Sequence, residues 1–361
     1  MNATQQLHDA GQSLWLDNIT RALLTSGTLA RYISELSVTG LTSNPTIFDQ
    51  AIKNSHDYDA AITEATAGGS KGEELFFGLA LDDLRHAADL LRPVHDGTNR
   101  VDGWVSLEVP PTLAYDTAAT LATAEKLYAD AARPNIFIKI PGTKEGVPAI
   151  EEAIFRGVPI NVTLLFSREQ YLEAAYAYVR GVERRIAAGL NPYVPSVASL
   201  FMSRWDVAIA GKVPPALEGK LGIAIGKRTY KAYRGLLASD RWLRVLNFGA
   251  RSQRLLWAST GTKDPKQPDL LYVNGLAAPH TINTMPEKTL LALADHGKMG
   301  PMLPHDGGDA EETLDRFVKA GVDLDALASD LQRDGAAAFV KSWQELLACI
   351  DAKSAKLAKT G

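Results

Sequence analysis

The chain has 361 residues, 46% of them hydrophobic and 22% charged, with 29 Gly and 18 Pro, a globular make-up that excludes a disordered or fibrous protein. Its formal charge of −4 leaves no basic excess for a nucleic-acid backbone or an anionic membrane, so neither partner is expected. Any anionic ligand must then be held by a local cluster of Lys, Arg and backbone N–H groups.

Short apolar stretches alternate with longer helical ones along almost the whole chain. In order, eight strands are expected at Leu14–Asp17, Val38–Leu41, Trp104–Val109, Ile136–Ile140, Pro159–Thr163, Tyr193–Val197, Arg254–Trp257 and His280–Thr284. Between them, Thr117–Ala132 is rich in helix formers and stops before Pro134, where the residue before a proline disfavours helical backbone. Ser167 and Gln170 have capping-box spacing, an apolar stripe from Tyr171 to Val182 follows, and Gly189 stands where a helix would end. Gly297–Gly308 reads as a loop, and Phe339, Trp343, Leu346, Leu347 and Ile350 as the packed face of a last helix. Eight strands separated by helices predict a (β/α)8 TIM barrel; a doubly wound sheet is disfavoured because no G-x-G-x-x-G follows the first strand. The domain reading is one barrel over residues 1–361, with helical insertions near 50–100 and 205–250 and C-terminal helices over 309–356.

No basic segment followed by an apolar one opens the chain, and no run nears the roughly 18 apolar residues of a membrane span. The single cysteine, Cys349, cannot form an intrachain disulfide and is read as structural; a cytoplasmic location is expected. Self-association is left open.

Polar residues cluster at the C-terminal ends of the expected strands, the face on which barrel enzymes carry their active sites. They are Asp17, Thr42 and Asn44, Glu108, Lys139, Asn161 and Thr163, Ser199 and Arg204, then Ser259 and Lys263. Alternation along a strand puts Lys139 with Phe137, Glu108 with Ser106, Asn161 with Thr163 and Asp17 with Trp15, so that one choice of facing sends all four sets into the barrel. A lysine in an apolar strand is often an edge guard, but a closed barrel has no edge. An interior lysine needs a lowered pKa or a carboxylate partner, and a lysine so placed can serve as an amine nucleophile. After strand seven, Ala258–Asp264 (ASTGTKD) is a small-residue loop whose N–H groups could approach a phosphate, with Lys263 and Arg204 adding charge. The histidines lack metal-ligand spacing and no G-x-S-x-G elbow occurs; no metal is expected. His280 is taken as the one histidine near the site, in a core or supporting role.

Several segments together resemble the transaldolases. They are Leu41–Thr46 (LTSNPT), Val105–Val109 (VSLEV), Phe137–Thr143 (FIKIPGT), Ile160–Ser167 (INVTLLFS) and Ser199–Asp206 (SLFMSRWD). The resemblance runs from about residue 12 to about 345 and is closest to the longer bacterial type. It implies a cofactor-free Schiff-base barrel that moves a dihydroxyacetone unit between sugar phosphates. By resemblance Lys139 is the amine nucleophile, Asp17 the acid/base at the C4 hydroxyl, and Glu108 an acid/base working through water near Thr163. Asn44, Asn161 and Ser199 would position the dihydroxyacetone hydroxyls, and Arg204 and Ser259 would hold the phosphate. Many relatives carry an arginine where Gly261 stands, and Lys263 is assigned its duty here. The alternatives are a fructose-6-phosphate aldolase that releases free dihydroxyacetone, and a non-catalytic sugar-phosphate-binding barrel.

Overall fold

In the computed structural model, which describes residues 2–359, eight parallel strands close on themselves. They are β1 (Gln12–Asp17), β2 (Val38–Thr42), β3 (Trp104–Glu108), β4 (Ile136–Pro141), β5 (Ile160–Leu165), β6 (Ser196–Phe201), β7 (Arg254–Ala258) and β8 (Thr281–Met285). Each pairs with its sequence neighbours, and β1 pairs with β8, so the expected (β/α)8 TIM barrel is present.

Strand alternation sorts the side chains as the parity argument requires. Trp15, Trp104, Phe137, Val197, Leu256 and Ile282 pack with one another inside the barrel, while Leu14, Leu16, Val105, Leu107, Ile136, Ile138, Ile140 and Val162 pack outward in the layer beneath the helices. The interior layer is aromatic: Trp104 stacks on Phe137 with centroids 4.3 Å apart, and Trp15 lies 6.2 Å from the same ring. Gly40 in β2 makes room for it, since a Cβ there would lie 2.5 Å from Trp15 Cε2. Above this layer the next inward positions on the same strands are Asp17, Ser106, Glu108 and Lys139, so the aromatic packing forms the floor of the site.

β6 differs from expectation. It runs from Ser196 to Phe201 rather than from Tyr193 to Val197, because Pro192 and Pro195 have no N–H to give a ladder. Pairing starts where Ser196 meets Ile160 and Val197 meets Arg254. Ser199 therefore lies within the strand, not after it. His280 also departs from expectation: it precedes the N-terminal end of β8 and lines a cavity on the face opposite Lys139. β5 runs two residues beyond its expected end. Its register against β6 slips between Val162 and Leu165, where Leu164 adopts a left-handed backbone with φ 58°.

Several helix ends follow their capping chemistry. Ser167 and Gln170 form the reciprocal capping box of the helix Arg168–Ala187, and Asp116 caps Thr117–Ala131. The long connection after β2 contains the helices Pro45–Asn54, Asp59–Ala67 and Gly72–Gly97; that after β6 contains Ser203–Ile209, Leu221–Leu237 and Asp240–Asn247. Residues 297–308 form no helix or strand. The last helix, Leu324–Leu357, crosses the C-terminal face. Gln332 Nε2 donates to the carbonyls of Gly142 and Leu164, both 3.0 Å away, and Lys353 donates to the carbonyls of Ile52 and Ser55 while pairing with Asp59. Among the described residues no helix is long and apolar enough to cross a membrane.

Candidate active site

At the C-terminal ends of the strands is a cavity of about 650 Å³ lined by Asp17, Asn44, Lys139, Thr163, Ser199, Arg204, Ser259 and Lys263, with Gly261 and Phe339 also on its wall. Glu108 and Asn161 are buried directly behind this lining. With Thr42, which also lines it, the eleven strand-end polar residues singled out from the sequence are thus gathered in one place.

Lys139 rises from β4 with only 6% of its surface exposed. Its Nζ donates to Glu108 Oε2 and to the Ser43 carbonyl, each at 3.1 Å. A buried ammonium needs such a partner, and the register of β3 against β4 supplies it by pairing Glu108 with Lys139. Burial pushes the Glu108 carboxyl above its usual range; Lys139 opposes that shift and Asp17 adds to it. Its second oxygen, Oε1, is buried without a partner among the described residues, as is Thr163 Oγ1 on the neighbouring β5. Two orphaned polar atoms beside a cavity mark a place for a water or a substrate hydroxyl.

Asp17 ends β1. Thr42 Oγ1 donates to its Oδ1 at 2.9 Å and Asn44 Nδ2 to its Oδ2 at 3.3 Å. Burial raises its pKa, against the pull of Lys139, Thr42, Lys263 and Asn44. Asn44 is fixed because its own Oδ1 caps the helix Pro45–Asn54 by accepting from Ile47 N. Asn161 and Ser199 are locked together across β5 and β6: Ser199 Oγ donates to Asn161 Oδ1 at 2.7 Å, and Asn161 Nδ2 donates to Ser106 Oγ at 3.2 Å.

The far end of the cavity is cationic. Arg204, at the start of the helix Ser203–Ile209, lies 5.9 Å from the Phe201 ring, and burial lowers its pKa from the ordinary guanidinium value. Ser259 has a left-handed backbone, φ 55°, and its hydroxyl lies 2.9 Å from that of Ser203. A Cβ on Gly261 would come 3.0 Å from Pro286 Cγ, so an arginine there would require Pro286 to shift. Lys263 lies on the same wall.

Three contributors were not singled out from the sequence. Thr284, next to the last residue of β8, has its hydroxyl 2.6 Å from that of Thr42, extending the Asp17 network; the alternation Ile282–Thr284 is the signal that could have found it. Phe339 had been placed in the packed stripe of the last helix, and no local pattern separates it from Trp343. The Ser43 carbonyl that accepts from Lys139 is a backbone group with no sequence signature.

The arrangement offers a buried amine, two carboxyls with raised pKa on different strands, hydroxyl and amide groups between them, and a cationic end. Such a set can form a Schiff base with a ketone and move protons around it.

The sequence model of the family described as Transaldolase/Fructose-6-phosphate aldolase matches residues 14–350. Among curated proteins the chain is 45% identical to the Transaldolase of Thermobifida fusca, over 95% of this chain and 96% of that one. It is 43% identical to the Transaldolase of an Arthrobacter species, over 99% and 98%, and 38% identical to Transaldolase 2 of a Nostoc species, over 98% of each.

Proposed function

Because the chain belongs to the transaldolase/fructose-6-phosphate aldolase family, we propose that it is a transaldolase acting through Lys139. The reaction is sedoheptulose 7-phosphate plus glyceraldehyde 3-phosphate giving erythrose 4-phosphate plus fructose 6-phosphate, a step of the non-oxidative pentose phosphate pathway. The observation that carries the site assignment is the buried amine 3.1 Å from a carboxyl, at the base of a cavity whose other end is cationic.

In this reading the ketose phosphate binds with its phosphate toward Arg204, Ser259 and Lys263, which fixes the chain along the cavity and supplies remote binding energy. The Lys139 amine sheds a proton, for which Glu108 is the adjacent acceptor, and adds to the C2 carbonyl. The carbinolamine then loses its hydroxyl as water, with Glu108 returning a proton through a water held at Thr163. The protonated Schiff base draws electrons from the C3–C4 bond. Asp17 takes the C4 hydroxyl proton, the bond breaks, and the first aldose phosphate leaves. The remaining three-carbon enamine is held by Asn44, Asn161 and Ser199 until a second aldose phosphate arrives. The enamine carbon attacks its aldehyde, Asp17 returns the proton, and hydrolysis of the Schiff base frees the new ketose. The raised pKa values of Asp17 and Glu108 suit groups that alternately take and give protons near neutrality. A cytoplasmic location accompanies this reading.

Borohydride reduction in the presence of fructose 6-phosphate tests it. The expected result is irreversible inactivation and a peptide carrying a reduced three-carbon adduct on Lys139. An intact Lys139 peptide in inactivated protein, or full retention of activity, overturns the assignment. Free dihydroxyacetone accumulating at the transfer rate without an acceptor aldehyde would make the chain an aldolase instead.

A further inference from the structure

The proposed reaction leaves the opposite, N-terminal, face of the barrel unused, yet that face contains a second cavity of about 350 Å³, within the range of small-molecule sites. Its inner wall is a closed network. Asp102 accepts from Ser13 Oγ at 2.5 Å and Trp15 Nε1 at 3.1 Å, and pairs with Arg254 at 3.3 Å. This carboxylate is fully engaged. The outer wall is different: Arg100 and Arg251 line the same cavity, and among the described residues neither is ion-paired to a carboxylate.

The two outer guanidiniums lie over one ring, Arg100 at 5.8 Å and Arg251 at 5.0 Å from the centre of Tyr193. The Tyr193 hydroxyl is buried with no hydrogen-bond partner among the described residues. A buried hydroxyl without a partner is costly, and here it belongs to the ring over which both guanidiniums lie. At His280, on the rim, burial lowers the pKa first, and then Arg234, Arg254 and His305, cations or potential cations all, lower it further. Arg100 itself follows Asn99 in a left-handed backbone, with φ 51° and 65°, uncommon for consecutive non-glycine residues.

Part of this cluster has a structural duty. Helix C-termini point to this face, and Arg251 and Arg254 donate to the carbonyls of Asn99 and Val101, just past the end of the helix Gly72–Gly97. Carbonyl capping explains neither Arg100, whose guanidinium makes no hydrogen bond or ion pair among the described residues, nor the unpartnered Tyr193 hydroxyl. It also uses only one of the five N–H donors of Arg251.

We propose that this cavity binds a small phosphorylated metabolite, its phosphate held between the guanidiniums of Arg100 and Arg251 with the Tyr193 hydroxyl donating to it. Forked guanidiniums match phosphate oxygens in geometry and charge.

The test is calorimetric titration with inorganic pyrophosphate of a chain carrying Arg204→Gln and Lys263→Gln, which removes the two cations assigned to the phosphate in the other cavity and leaves there only Lys139, already paired with Glu108. One equivalent should bind, and adding Arg100→Gln with Arg251→Gln should weaken binding at least tenfold while leaving the melting transition cooperative. In the otherwise natural chain the Arg100→Gln/Arg251→Gln pair should leave turnover within twofold. If that pair impairs folding, Tyr193→Phe, which removes only the hydroxyl, should still weaken binding severalfold. No binding to the first protein, or equal affinity with and without the substitutions at this face, overturns the proposal. A second equivalent that survives all of the substitutions would instead count against the assignment of Arg204 and Lys263, so the two failures are distinguishable.

Discussion

The two ends of the barrel interior treat a buried carboxylate in opposite ways. At the N-terminal end both oxygens of Asp102 are engaged, by Ser13, Trp15 and Arg254. At the C-terminal end Glu108 has one oxygen on Lys139 and the other buried without a partner among the described residues. The first arrangement holds strands β1, β3 and β7 together near their N-terminal ends. The second leaves bonding capacity unspent where substrate enters, which is a cost in stability that only a ligand or a water relieves. A barrel needs its floor closed and its mouth chemically open, and the same residue type serves both by differing only in how many donors surround it.

The largest expected effect that sharpens this contrast is at Asp17. Asp17→Asn keeps the shape and removes the base, so turnover should fall by about 10²–10⁴-fold with KM little changed. Stability should move the other way. Burial holds the folded-state pKa of Asp17 above its ordinary value, so the wild type is most favoured when this group is protonated and loses that contribution as pH rises through the folded pKa. The variant, which cannot ionise, should therefore melt higher than the wild type at neutral pH, with the gap closing as pH is lowered. A variant that melts lower at neutral pH would show that the carboxylate is structural, like Asp102, and would erase the distinction between the two ends.

Asp102→Ala is the complementary substitution. It leaves Arg254, 13% exposed at its side chain, without its carboxylate, a loss of about 3–5 kcal/mol for a buried pair. Chemical denaturation should register that loss, while kcat/KM per folded molecule stays within about twofold, since no floor residue reaches the cavity of Lys139. A hundredfold fall in kcat/KM with an unchanged denaturation midpoint would break the division of labour.

How much of this was legible in the sequence follows the same division. The mouth was readable because strand alternation repeats locally: Phe137 and Lys139, Ser106 and Glu108, Asn161 and Thr163 each declare a shared face two residues apart. The start of β6 differs from expectation because Tyr193 and Val194 look like strand residues, while the flanking prolines have no N–H to donate to the ladder and Pro195 joins it only through its carbonyl, which accepts from Ile160. Phe339 could not be read as part of the cavity, since its spacing is that of any buried helical residue and only the path of the last helix, fixed by Gln332 and Lys353, carries it over the site. The N-terminal cavity was wholly illegible. Arg100, Tyr193 and Arg251 come from three separate connections, and nothing local marks them as neighbours. His280 was assigned to the wrong end for a related reason: strand order alone does not say which end of a strand a flanking residue serves unless its position before or after the ladder is respected.

The smallest of these effects belongs to the cationic end of the mouth. Arg204→Gln removes the charge and leaves a shorter, neutral donor. Hydrogen bonds to a charged group contribute about 1.5–3 kcal/mol, so KM for fructose 6-phosphate should rise by roughly 10–150-fold if Arg204 holds the phosphate, with kcat falling less. Unphosphorylated fructose is the control, because it lacks the group Arg204 would hold, and its low kcat/KM should change by no more than about twofold. Equal losses on both substrates would mean that Arg204 supports the wall, through its packing over Phe201 and the Ser203–Ser259 contact beside it. The phosphate would then rest on Lys263 and the backbone of the loop after β7. Inorganic phosphate sharpens the readout: it should compete with fructose 6-phosphate in the wild type and compete more weakly in Arg204→Gln, because a residue that holds the substrate phosphate must also hold the free ion.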